Sequence, residues 1–187
     1  MKLLALILMY AMSDLTAMSS DTVILVHGLG RSTWSMKPIE WNLKRAGYHV
    51  VNVGYPSRRG VTSAEACLQR AIETNATAAG SIHFVTHSFG GILVRKYLTD
   101  HPLPNLGRVV MLAPPNHGSE VADSLRKTAI GRWILGPIGE RLGTGAGDLP
   151  ARLGAVRFPL GVVAADQSID PWFSHLFIQA NDGKVSV

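Results

Sequence analysis

The sequence predicts an α/β fold, built on a mostly parallel sheet with helices on both faces. Apolar stretches that suit buried strands occur at residues 21–28, 49–56, 81–87, 108–115 and 158–166. Stretches with the apolar spacing of helices lie between the first four of them, at residues 34–47, 62–76 and 90–101. Strands that alternate with helices are joined by crossover connections, which leave neighbouring strands parallel.

The early elements each have a local reason in the sequence. Residues 21–28 (DTVILVHG) form a continuous apolar run that ends in glycine, which is typical of a strand buried on both faces. Residues 34–47 carry apolar side chains at helical spacing and end in a glycine, which favours a helix that stops there. Thr62 and Glu65 have the spacing of a capping box, which predicts the start of the helix at residues 62–76.

The later elements continue the alternation, with one long interruption. Residues 81–87 (SIHFVTH) predict a strand that leads directly into the helix at residues 90–101. Residues 108–115 and 158–166 predict the last two strands, and residues 116–156 form an insert between them with weak helical spacing. Connections of this length often have a function, so we interpret the insert as a lid over a site. The alternative is an ordinary crossover with one or two helices.

Composition indicates one globular domain and excludes several classes of partner. The chain has 187 residues, of which 47% are hydrophobic and 17% charged, with a formal net charge of +5. Lysines and arginines are scattered rather than interleaved with aromatic residues, so no nucleic-acid partner is expected. Cys67 is the single cysteine, which rules out an intrachain disulfide. No motif implies a metal or an organic cofactor.

The first twenty residues stand apart from the domain predicted at residues 21–187. Lys2 followed by an apolar run resembles a signal peptide, which would direct the protein to the periplasm or the outside. The run is too short to cross a bilayer, so no integral membrane segment is expected. The alternative is a misassigned start, with Met18 as the first residue of a cytoplasmic protein.

Ser88 is the polar residue that the strand and helix patterns leave unexplained. It lies at the turn between the strand at residues 81–87 and the following helix, where a parallel sheet places its ligands. Thr86 and Gly90 are small, as the crowded backbone of such a turn requires. The helix directs its positive end at the turn, which favours an oxyanion. The alternative interpretation is that Ser88 only caps the helix.

Four motifs occur in an order that resembles the α/β-hydrolases, especially bacterial and triacylglycerol-type lipases and esterases. They are ILVHGLG, FVTHSFGG, LAPPNHGSE and NDGKVSV, within residues 22–187. The resemblance implies that Ser88 is a nucleophile and that the backbone N–H groups of Leu29 and Phe89 form an oxyanion hole. It also implies that Asp182 is the acid of a catalytic triad, with Asp166 as the alternative.

A histidine base is harder to place. Only His175 follows Asp166, and no histidine follows Asp182, whereas the family carries its base in a later loop. The resemblance implies that the chain lacks the last strand and helix of the family's fold, so we expect a fragment or a degenerate member. We predict a serine carboxylic-ester hydrolase that acts on a small-molecule ester or lipid, with activity reduced by the missing histidine. The alternatives are a non-catalytic ligand-binding protein, an acyltransferase or an amidase.

Overall fold

A computed structural model describes residues 21–75 and 80–164 of the chain. Five strands form one sheet in the order β2-β1-β3-β4-β5, and every neighbouring pair is parallel. The strands are β1 (Thr22–Val26), β2 (His49–Val53), β3 (Ile82–His87), β4 (Leu106–Leu112) and β5 (Leu160–Val163). The predicted parallel sheet is therefore confirmed.

Six α-helices connect or follow these strands in the described part of the chain. They are α1 (Lys37–Arg45), α2 (Val61–Asn75), α3 (Phe89–Asp100), α4 (Glu120–Leu125), α5 (Ala129–Gly139) and α6 (Leu149–Arg152). A turn of 3-10 helix at Thr33–Met36 leads into α1. Because α2 begins at Val61, Thr62 lies inside its first turn, and the predicted capping box at Thr62 is wrong. No helix within residues 21–75 or 80–164 is long and apolar enough to cross a bilayer.

The helices cover both faces of the sheet, as the alternating pattern predicts. On one face, buried residues of α2 and α3 such as Leu68 and Ile92 pack with Ile24 and Phe84 of the strands. On the other face, α1 contributes Leu43 to a smaller cluster with strand residues. Fully burying one such aliphatic or aromatic side chain contributes about 1.5–3 kcal/mol. The sheet is therefore held rigidly from both sides, and its loops start from fixed positions.

The order in which successive strands are added to the sheet reverses after β2. The chain passes from β1 to β2 on one side, and then returns to place β3 on the other side of β1. The carboxyl ends of β1 and β3 therefore open into a crevice, which is where open parallel sheets bind ligands. The loops that begin there carry Gly28 and Ser88.

The insert at residues 116–156 contains α4, α5 and α6. The sequence has one weak helical pattern at residues 121–133, whereas the structure has two separate helices across this stretch. Thr128 ends the connection between them, because its hydroxyl accepts a hydrogen bond from Gly131 N at 3.0 Å and caps α5. Gly136 interrupts α5 with a φ of 61°, directly before Pro137. Three candidate residues, Asp166, His175 and Asp182, and the predicted leader at residues 1–20, lie outside the described residues.

Candidate functional site

Ser88 has a strained backbone at the turn between β3 and α3. Its φ is 51° and its ψ is −124°, and Ala113 is the only other non-glycine residue in the described ranges with a positive φ. Such conformations cost about 1–3 kcal/mol and persist where the surroundings enforce them. Here Ser88 N–H donates to Leu112 O at 2.9 Å, and Ser88 O accepts from Gly91 N–H at 2.9 Å. The side chain makes no capping hydrogen bond, so the interpretation of Ser88 as an ordinary helix cap is wrong.

Glycines on both sides of the turn allow the backbone segments to approach closely. A Cβ at Gly90 would lie 2.5 Å from Val26 O and 2.8 Å from His27 O, both backbone atoms of the neighbouring strand end. A Cβ at Gly28 would lie 3.2 Å from the Cβ of Ser88. The loops after β1 and β3 therefore touch at Ser88, as the motifs HGLG and HSFGG predict together.

A buried aromatic network fixes the loop after β1. The His27 ring is almost fully buried and stacks on Tyr55 with ring centroids 4.1 Å apart. Tyr55 Oη donates to His27 O at 2.8 Å, and His27 Nδ1 donates to Gly28 O at 2.8 Å. Tyr55 also meets the ring of Phe89 edge-on, at 5.9 Å. One tyrosine from the end of β2 thus ties the loop after β1 to the first residue of α3.

Burial sets the protonation of this network. Burial lowers the pKa of His27, and its contact with the Gly28 carbonyl only partly opposes that change. Burial also raises the pKa of Tyr55 well above its usual value. His27 is therefore a neutral structural residue at pH 7, and the tyrosine keeps the proton that it donates. The sequence did not predict this role for Tyr55; its only signal was an aromatic residue just after β2, next to the strand that ends in His27.

Leu29 and Phe89, the residues of the predicted oxyanion hole, lie in the two chain segments next to Ser88. A turn closed by Arg31 N–H and Gly28 O, at 3.2 Å, surrounds Leu29. No acceptor for Leu29 N–H occurs among the described residues. Phe89 is the first residue of α3, where an N–H group has no acceptor within the helix. Both N–H groups therefore belong to chain segments that meet at Ser88.

No histidine in the described part of the chain hydrogen-bonds to Ser88. The ring of His27 stacks on Tyr55, and the ring of His87 lies beside Gly28. His83 lies at the opposite end of β3, where its Nδ1 accepts from Arg108 N–H at 2.9 Å. His49, His101 and His117 lie at a strand start, a helix end and an exposed turn. The described residues also contain no cluster of side chains suited to a metal ion.

The insert contacts the loops that surround Ser88. Leu29 Cδ2 lies so close to Gly139 of α5 that a Cβ there would be 3.1 Å away. Arg58, in the loop after β2, donates to Trp133 O at 3.2 Å and lies 4.9 Å from the centre of the Trp133 ring. Helix α5 is thus anchored on one side to the loop of the predicted oxyanion hole and on the other to the loop after β2.

One stripe of α5, which includes Trp133, is apolar and largely open to solvent. Ile130, Trp133 and Ile134 are 74%, 69% and 51% exposed, and their spacing places them on one stripe of the helix. Gly131 and Ile138 of the same helix are buried. We call Ile130, Trp133 and Ile134 the apolar stripe. A contiguous apolar surface on an otherwise soluble fold commonly marks a binding surface.

The sheet, the turn at Ser88 and the sequence motifs define the class of protein. The chain belongs to the alpha/beta hydrolase family, whose model matches residues 23–182. No curated protein matches the sequence.

Solved structures with a similar fold include enzymes that act on lipids and esters. The mature form of the Bacillus licheniformis lipase BlEst2 is 20% identical with a TM-score of 0.64, over 90% of this chain and 78% of that one. The phospholipase PlaB from Legionella pneumophila is 19% identical with a TM-score of 0.63, over 90% of this chain and 44% of that one. The metagenomic carboxyl esterase MGS0156 is 20% identical with a TM-score of 0.62, over 92% of this chain and 60% of that one. At these identities the likeness is one of fold.

Proposed function

We propose that the protein is a serine hydrolase of carboxylic esters, of the lipase or esterase type, with Ser88 as the nucleophile. The observation that carries this proposal is the strained backbone of Ser88, in a turn where Gly28 and Gly90 allow close packing against the loop after β1. Strain of this kind is kept where function requires a fixed and exposed side chain. A serine that served only to cap a helix would have ordinary dihedral angles and a capping hydrogen bond, and Ser88 has neither.

The proposed reaction proceeds by acyl transfer. Ser88 Oγ attacks the ester carbonyl carbon while its proton passes to a general base, and the carbonyl oxygen becomes an oxyanion that accepts bonds from Leu29 and Phe89 N–H. The tetrahedral intermediate collapses, and the alcohol leaves with a proton from the base. Water then attacks the acyl-serine, which releases the carboxylic acid and restores Ser88. We propose Asp182, which lies outside the described residues, as the acid that orients a histidine base; no histidine of the sequence follows Asp182, and none is assigned as that base.

The insert supports an ester with an apolar acyl chain as the substrate. Helix α5 lies against Leu29, so a ligand that reaches Ser88 meets the insert as well. The apolar stripe is available to an apolar substrate or to a surface that carries one. The contact of Arg58 with Trp133 fixes where this stripe lies relative to the site. We therefore propose that residues 116–156 act as a lid.

Labelling of the active serine tests the chemistry. A fluorophosphonate probe should modify the wild-type protein at Ser88, and Ser88→Ala should abolish the label. The exposed Ser32 provides the matched control, because its side chain makes no capping bond and Ser32→Ala should label like the wild type. Absence of label at Ser88 in a folded protein would refute the proposal in favour of a non-catalytic ligand-binding protein.

Hydrolysis of nitrophenyl esters with different acyl chains tests the substrate class. Trp133→Ala should slow hydrolysis of a long-chain ester several-fold and leave that of a short-chain ester unchanged. Trp41→Ala is the matched control, since Trp41 is 59% exposed and lies 4.6 Å from Arg45 Cζ, an environment similar to that of Trp133 with Arg58. Equal effects of the two variants would refute the proposed lid. Faster transfer to an added alcohol than to water would instead indicate an acyltransferase, and hydrolysis of amides alone would indicate an amidase.

A further inference from the structure

A cavity of about 570 Å³ lies away from Ser88, beside the carboxyl half of α3. Its volume falls within the range of about 300–1,000 Å³ that small-molecule sites occupy. The wall is largely apolar and includes Leu98, Leu103, Leu106, Val156 and Phe158. Two arginines, Arg95 and Arg157, line it, and no Asp or Glu of residues 21–75 or 80–164 does. The cavity therefore combines apolar surface with positive charge.

Arg95 is the unusual member of this lining, because it is a buried cation whose hydrogen-bond acceptors among the described residues are all uncharged. It is 5% exposed, and burial lowers the pKa of its guanidinium. Its Nη1 donates to Asn116 Oδ1 at 2.9 Å and to Asn116 O at 3.4 Å, and its Nη2 donates to Gly154 O at 2.7 Å. All three acceptors are uncharged. A buried charge held only by neutral groups is costly, so an anion that reached Arg95 would be stabilised strongly.

The hydrogen bonds of Arg95 leave one edge of the guanidinium available. A guanidinium has five N–H groups, and the described residues provide acceptors for three of them. The remaining two belong to Nε and Nη2. A carboxylate bonds to such an edge with both oxygens, in a fork geometry that lysine cannot offer. The bonds to Asn116 and Gly154 hold the guanidinium in place, which lowers the entropy lost when a ligand binds.

We propose that this cavity binds an amphipathic monocarboxylate such as a medium-chain fatty acid, with the carboxylate on Arg95 and the chain against the apolar wall. Arg157 is exposed and adds a second positive charge at the opening. This site goes beyond the proposed hydrolysis at Ser88, since Arg95 lies seven residues along α3, about 10 Å from Ser88 on the helix axis. Binding at this site requires no reaction at Ser88.

Calorimetric titration with decanoate, below the concentration at which it forms micelles, tests the site. Wild-type protein and Ser88→Ala should each bind one decanoate with equal affinity. Ser88→Ala cannot hydrolyse esters, so equal affinity shows that binding at this site does not depend on the proposed reaction. Decanol, which keeps the chain but lacks the charge, should bind at least tenfold more weakly, because hydrogen bonds between charged groups contribute about that much. Decanol binding as tight as that of decanoate would overturn the assignment of the carboxylate to Arg95.

Two variants locate the binding, and a third serves as control. Arg95→Gln should weaken decanoate binding at least tenfold, and Thr99→Trp should weaken it similarly by filling the opening of the cavity. Thr99 is exposed, so Thr99→Trp keeps the test valid if Arg95→Gln fails to fold by circular dichroism. Arg45→Gln, an exposed arginine on the other face of the sheet, should leave the affinity unchanged. Undiminished decanoate binding in folded Thr99→Trp would overturn the proposal and place the ligand elsewhere.

Discussion

Glycine at position 88 should make the protein more stable than alanine does, which reverses the usual order of these two residues. The φ of 51° at Ser88 is strained for any residue with a Cβ, at a cost of about 1–3 kcal/mol, and glycine removes that strain. Glycine also makes the unfolded chain more flexible, which costs about 0.4–1 kcal/mol. The difference leaves Ser88→Gly about 1 kcal/mol more stable than Ser88→Ala. Both variants lack the hydroxyl, so the comparison isolates the backbone.

Ser32 provides the matched pair for this comparison. It is exposed, with an ordinary φ of −136° and no capping bond from its side chain. There Ser32→Gly should be about 0.4–1 kcal/mol less stable than Ser32→Ala.

Urea unfolding of the four variants measures both differences. A slope of about 2 kcal/mol/M makes 1 kcal/mol at position 88 a shift of about 0.5 M in the midpoint. If alanine were as stable as glycine at position 88, as at position 32, then the turn would not be strained, and the argument for Ser88 as a positioned nucleophile would lose its basis.

Three further perturbations follow from contacts described above. Gly90→Ala should cost about 3 kcal/mol in urea unfolding, because the new Cβ would lie 2.5 Å from a backbone oxygen that cannot move freely. Tyr55→Phe should cost about 1–2 kcal/mol in the same assay, because the buried carbonyl of His27 loses its donor. Glu40→Gln should cost about 1–2 kcal/mol at pH 7, since bonds from two lysines and an asparagine lower the pKa of Glu40 to about 2. That pKa lies below the ordinary value of 4.5, so the stabilisation is present above pH 4.5 and is lost as the pH falls toward 2.

Each of these perturbations has a control in the same chain. Gly147 has open space around it and an ordinary φ, so Gly147→Ala should change the stability by less than about 0.5 kcal/mol. Tyr48 is partly buried without a hydrogen bond from its hydroxyl, so Tyr48→Phe should also be close to neutral. Glu140 is exposed, and Glu140→Gln should show the same acid unfolding as the wild type. A stability difference for Glu40→Gln that persisted unchanged from pH 7 to pH 3 would contradict the assigned pKa.

The sequence could predict the turn at Ser88 because every constraint on it is local. A buried strand, a serine, small residues two positions away on each side and a helix follow one another within residues 81–101. Gly90, two residues after Ser88, lies so close to the backbone at Val26 and His27 that a Cβ would not fit there. The parallel pairing of the strands followed from the alternation of strand and helix patterns, since a connection through a helix joins parallel strands.

Other features depend on contacts between distant parts of the chain, and no local pattern encodes them. Tyr55 holds His27 across 28 residues, and that contact exists only because β1 and β2 are neighbours. Arg95 likewise donates a hydrogen bond to the carbonyl of Gly154, which lies 59 residues later in the chain. The apolar spacing in the insert indicated helical structure, but it did not predict that Trp133 and its neighbours on the stripe would face solvent. The period of apolar residues predicts which side chains share one face of a helix, but it does not identify what packs against that face.

The hydrogen bond from Ser88 N–H to Leu112 O also bears on the order in which the protein folds. The acceptor lies 24 residues later in the chain and at the end of β4, so the turn cannot be held in its strained form until β3 and β4 have paired. Pairing of this kind closes a long loop and is slow to form. We therefore predict that the strain at Ser88 develops after the transition state for folding. Relief of that strain by glycine should slow unfolding and leave the folding rate unchanged, so that the lifetime of the native state changes while the speed of its formation does not.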